Sequence, residues 1–135
     1  MKFLVSPNDE IKIQFALAIR KDGQVVGDIS ADMLKESFGD TVDPETIESH
    51  EAVFRRPNFA DTVDMGNQVN TSDGIRFEVN PSAMRMARMC KLLKNWTLTE
   101  GEERKPVPPT AESIMSLEPV IAHIIGVQLD ATVGV

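Results

Sequence analysis

The chain carries few side chains able to do chemistry. His50 and His123 are its only histidines, Cys90 its only cysteine, and it has no tyrosine. A structural zinc site usually takes four ligands, so two histidines make a poor beginning for one. A Cys–His nucleophilic pair would need the fold to set His50 or His123 beside Cys90, whereas the apolar helical stripe around Cys90 points to a buried, inert thiol. Glu102 and Glu103 are adjacent carboxylates in a glycine- and proline-containing stretch, a solvated setting unlike the rigid, desolvated one that acid–base catalysis needs. Gly23 and Gly27 have no strand-to-helix context for a phosphate loop, and no Gly-Lys-Ser/Thr follows them. Asp32, Asp40 and Asp43 have the wrong spacing for a calcium loop. These residues predict no catalytic group, no metal and no cofactor.

Interaction is then the function class to examine, and composition narrows it. With 135 residues, one domain is expected. A hydrophobic fraction of 41% is enough for a core, and one cysteine leaves that core without an internal disulfide. No run of about 18 apolar residues is present, so no membrane-spanning helix is expected, and the short apolar start at Phe3 does not read as a signal peptide. The net charge of −7 disfavours nucleic acid as a partner, because neutralising phosphates supplies much of such affinity. Charge is uneven: residues 1–50 carry five basic and ten acidic side chains, and residues 51–100 seven basic and six acidic. Arg85, Arg88, Lys91 and Lys94 crowd one segment of that basic middle, which reads as a solvated helical face.

The elements that must position these residues follow from period and punctuation. Ile11, Ile13, Phe15, Leu17 and Ile19 alternate with smaller or polar residues, predicting a strand with one apolar face. Lys21-Asp22-Gly23 predicts a tight turn into Gln24-Val25-Val26, so residues 1–29 should form an N-terminal antiparallel β-hairpin. Residues 30–79 read as mixed short elements. Ser30 caps a helix over 31–38, 52–56 form a strand stopped by Pro57, Asn58 caps a helix over 59–65 broken by Gly66-Asn67, a polar loop spans 70–74, and 75–79 alternates as a short strand or extended lead-in. Asn80-Pro81 opens a central amphipathic helix to about Asn95, the core of segment 80–97, with Met86, Met89, Cys90, Leu93 and Trp96 on one stripe. Three prolines make 98–109 an irregular, stiffened arm. Thr110 caps a helix over 111–117 and Pro119 opens a last one, completing segment 110–130. The tail 131–135 carries no helix signal. The fold class expected is α+β: the hairpin with one or two further strands, then three to four helices, the middle and last packing on the apolar face of the first strand. A mostly helical fold with a projecting hairpin is the alternative.

The methionines and the final Val/Ile helix offer more apolar surface than a hairpin core needs. The candidate partner-binding residues are Phe54, Trp96, Val120, Ile121, Ile124 and Ile125, with Met86 and Met89 behind them. Unbranched thioethers adapt to varied partner helices, and Trp96, a large rigid aromatic at an expected helix end, is either an interface anchor or a plug between helix and loop.

The order of segments also carries a resemblance. Glu51 to Asp61 reads Glu-Ala-Val-Phe-Arg-Arg-Pro-Asn-Phe-Ala-Asp, Asn80-Pro81 opens a helix, and Leu92 to Leu98 reads Leu-Leu-Lys-Asn-Trp-Thr-Leu. An acidic, glycine-containing link leads into Pro106-Val-Pro-Pro-Thr110-Ala-Glu-Ser-Ile114, then Leu117 and a closing Val/Ile helix. Over residues 47–128 this succession resembles the tail-assembly chaperones of long-tailed bacteriophages. The N-terminal hairpin lies outside it, and the long Pro-rich stretch and weakly charged last helix depart from the family's usual acidic ending. The resemblance implies a protein of the infected host's cytoplasm, absent from the finished virion, that coats the tape-measure protein and recruits tail-tube subunits. It is the basis for expecting those two as partners; a homo-oligomer is a separate expectation, and the sequence does not fix the oligomeric state. The alternative is a structural virion component: a tail, head-completion or decoration subunit.

Overall fold

A computed structural model describes residues 2–72, 77–79 and 81–133. The alternating segment forms β1, Glu10–Ile19, and turns back into β2, Val25–Asp28. The turn is the expected one: Gly23 has φ 93°, a value that favours glycine, and Asp22 accepts from Gln24 N–H at 3.0 Å. On its other side β1 pairs antiparallel with β3, Glu48–Arg55, and β3 pairs with β6, Leu93–Trp96. The result is a four-stranded antiparallel sheet in the order β2-β1-β3-β6.

Five helices accompany it among the described residues: α1 Ala31–Phe38, α2 Phe59–Val69, α3 Pro81–Leu92, α4 Ala111–Met115 and α5 Pro119–Val133. The fold is α+β, with the hairpin built into the sheet. Register explains the packing. Ile11 faces Phe54 and Ile13 faces Ala52, so these side chains share one face with Phe15. Met89 and Leu92 of α3, Ile114 of α4, and Ile125 and Leu129 of α5 close over that face. Each fully buried side chain of this size contributes roughly 1.5–3 kcal/mol. The opposite face is covered at one end, where Ala16 and Ala18 meet Val26, Leu34 and Val42 beneath α1, and Val53 is buried nearer the other end. The two alanines let that helix approach closely. Ile19, expected on the core face, is exposed, because the cover thins beyond half-buried Leu17 at the end of the strand.

Several boundaries depart from the sequence reading, each for a tertiary reason. Helix α3 stops at Leu92 and the chain enters β6 at Leu93, although helical spacing continues to Trp96. The open edge of β3 takes those residues as a paired strand, an outcome that local propensity does not foresee. Helix α2 runs through Gly66-Asn67 to Val69, with Met65 buried and the helix lying against α3. Residues 70–72, expected as part of a loop, are β4, paired with β5, Phe77–Val79, which is the short strand offered for 75–79. The strand expected at 52–56 is longer and begins at Glu48. The irregular arm contains a small hairpin, β7 Thr99–Glu100 with β8 Lys105–Pro106, turned through Gly101 (φ 77°) and Arg104 (φ 51°). Helix α4 is shorter than expected, and α5 continues into the supposed tail as far as Val133. The Ser30 and Thr110 caps form as read, accepting from the backbone N–H groups of Met33 and Ser113. Asn80, the expected cap of α3, lies outside the described residues, as do Asp73, Gly74, Ile75 and Arg76 of the neighbouring loop and strand.

Candidate partner-binding groove

Helices α3, α4 and α5 meet over the sheet and leave a groove of about 450 Å³ between them. Its floor is Met89 and Ile114, both buried, and its walls are Met86 and Met115, 41% and 61% exposed. Pro119, Ala122 and His123 line the far side. The lining is chiefly thioether and aliphatic and so favours apolar side chains, with Ser82 and Arg85 of α3 adding polar groups to it.

Packing of α3 on α5 sets the width of this groove. Asp130 of α5 receives Arg85 at 2.7 Å and is also ion-paired with Arg88, tying both arginines of α3 to one carboxylate. Gly126 makes the approach possible: a Cβ there would fall 2.5 Å from Arg85 Cδ and 2.9 Å from its Cγ. The basic face expected of this helix is thus partly used inside the molecule. Lys91 reaches Asp64 at 3.3 Å and Lys94 reaches Glu10 at 2.6 Å.

The sequence candidates fall into distinct places. Met86 is a groove wall and Met89 its floor. Phe54 and Ile125 are completely buried core residues and present nothing to a partner. Ile121 and Ile124 are half-buried against the same core, and Val120 is half-buried beside them. Trp96 lies on the outermost strand β6 opposite Ala52, not at a helix end, and its indole N–H donates to the Val107 carbonyl at 2.7 Å. The structure therefore uses Trp96 as the plug between sheet and arm. Met115 and His123, absent from the sequence candidates, complete the groove. The Thr110 cap announces the helix that carries Met115, but its place in the groove follows from α4 packing against α3.

The titratable groups are engaged structurally. His50 stacks on Phe15 with ring centroids 5.7 Å apart, and its ring nitrogens lie 3.0 Å from Thr97 Oγ1 and Glu48 Oε2. Burial pushes the Cys90 thiol above its ordinary range, which keeps it protonated at neutral pH. Among the described residues, no group of three or more His, Cys, Asp or Glu is placed to hold a metal ion, and no helix is long and apolar enough to cross a membrane. Comparisons of the chain with protein-family models, with curated proteins and with solved structures give no match in any of the three.

Proposed function

We propose that the chain is a bacteriophage tail-assembly chaperone that acts in the host cytoplasm by holding apolar helical segments of the tape-measure protein and helping tail-tube subunits assemble around it. The observation that carries this reading is the groove walled by Met86 and Met115, an apolar concavity between helices with exposed, adaptable side chains. The segment order over residues 47–128 supplies the identity of the partner. In this reading an amphipathic helix of the tape-measure protein lays its apolar stripe between α3 and α4, and the acidic surface of the chaperone keeps the pair dispersed. No bond is made or broken.

Co-expression with a tape-measure fragment that aggregates alone is the test. The wild-type chain should keep the fragment in solution, whereas Met86→Lys combined with Met115→Lys should let it precipitate, because two buried ammonium groups oppose docking. Both side chains are exposed, so the variant's far-UV dichroism and melting temperature should match those of the wild type. A fragment that aggregates equally with the wild-type chain overturns the proposal. Recovery of the chain at fixed stoichiometry from purified particles transfers the case to a structural virion subunit.

A further inference from the structure

The two ends of β1 differ in charge, and both hold apolar side chains in water. At the Glu10 end, residues 2–9 lie against the lead into α2. The Arg56 N–H donates to the Asp9 carbonyl at 3.0 Å, and Lys2 pairs with Asp9. Phe3 and Phe59 are each 84% exposed there, with Leu4 and Val63 exposed beside them in the chain. Among the described residues the acids here are matched: Asp9 by Lys2, Glu10 by Lys94, Asp61 by Arg55 and Asp64 by Lys91. Lys12 and Arg56 join no ion pair among the described residues, which leaves this end with surplus cations on a chain of net charge −7.

The Ile19 end is the reverse. Residues 20–45 carry seven acidic and three basic side chains. Among the described residues only Asp22 of those acids is ion-paired, with Arg20 at 3.9 Å. Ile19 is exposed at this end, and Ile29 and Met33 are exposed farther along the same acidic segment, Ile29 following Asp28, which pairs with Ala16 at the middle of β1. Ile29 also lines a cleft of about 330 Å³ that opens beside Gln14, Phe15, Ser49 and Glu51, at the middle of β1.

We propose that the basic, Phe-bearing end docks on the acidic flank formed by β2 and α1 of a second copy, building head-to-tail chains. The second copy is the occupant the observations favour, because the same molecule supplies both the excess cations and the unpaired acids, each beside exposed apolar groups. An interface between two basic ends would bring like charges together, and so would one between two acidic flanks. Only the heterologous arrangement is electrostatically complementary, and such a contact propagates unless its rotation closes a ring. None of these residues lines the α3–α4–α5 groove, so the association stands apart from the function proposed above.

Sedimentation velocity on the intact chain is the measurement. Average mass should rise with concentration at about 20 mM salt and fall back toward the monomer at about 0.5 M, where screening is short-ranged. Phe59→Ser blocks the basic end, and Ile29→Ser with Met33→Ser blocks the acidic flank. Each variant alone should associate at least about tenfold more weakly than wild type, while their equimolar mixture should form a dimer that grows no further. Arg56→Glu, at a second exposed position, should reproduce the Phe59→Ser result. A wild-type chain that stays monomeric in low salt overturns the proposal. So does a closed dimer that mixing does not restore, or an association that strengthens with salt.

Discussion

Asp61 concentrates several interactions in one carboxylate. It accepts both guanidinium nitrogens of Arg55, at 2.5 and 3.0 Å, and the Asn58 N–H at 2.9 Å, while the Asn58 side chain accepts the Asp61 N–H at 2.8 Å. The last two contacts form a reciprocal cap on α2, and the first two fasten that cap to β3. The Arg55 hydrogen bonds, helped by the Asn58 N–H, hold the Asp61 carboxyl below its ordinary value of 3.8. A depressed carboxylate adds stability above its unfolded pKa and loses it as pH falls through the lower folded value. Asp61→Asn should therefore cost about 1–3 kcal/mol at neutral pH, and the gap from wild type should shrink below pH 3.8. Urea titrations at pH 7 and pH 3 measure both. Trp96 makes a second prediction at this scale. Trp96→Phe keeps the ring and removes the donor to Val107, so it should cost about 1 kcal/mol and speed proteolysis between residues 98 and 109.

At the level of elements, Gly66 sits inside α2 with nothing within 4 Å of a built Cβ. Gly66→Ala should stabilise the chain by roughly 0.5–1 kcal/mol, read as a raised melting temperature, because it removes an entropic penalty without a clash. The same residue shows why some boundaries were legible and others were not. Ser30, Thr110 and Asp22-Gly23 act through their own neighbours, so sequence alone reports them. The end of α3 depends on the free edge of β3, some forty residues earlier in the chain, and nothing between Leu92 and Trp96 announces it. Gly66 reads as a stop until the burial of Met65 and the contact with α3 are known. The site was legible to a similar depth. The methionine stripe of α3 pointed to the groove through Met86 and Met89. Phe54 and Ile125, equally apolar, belong to the core, and periodicity cannot separate a stripe that is covered from one that is left open. Met115 required knowing that α4 folds back onto α3.

Across the whole molecule, two features of surface separate two kinds of contact. The groove is apolar and its neighbouring arginines are spent on Asp130, so binding there should respond weakly to salt. The basic end of the sheet and the acidic flank are oppositely charged, so contact between them should respond strongly. Substitutions at Met86 and Met115 should leave the sedimentation profile unchanged, and Phe59→Ser should leave rescue of a tape-measure fragment unchanged. Measuring both variants in both assays checks that the two surfaces are separate.

Helix α3 passes into β6 with no linking residue, Leu92 being helical and Leu93 already paired. One wall of the groove and the rim of the sheet are thereby one continuous lever, with Trp96 at its tip and the 98–109 hairpin hung from that indole. A cargo that pushes α3 along its axis has no slack to take up the motion, and the strain must arrive at the chain's single tryptophan. Its emission is a natural gauge of loading, fitted by the fold itself and readable without any label.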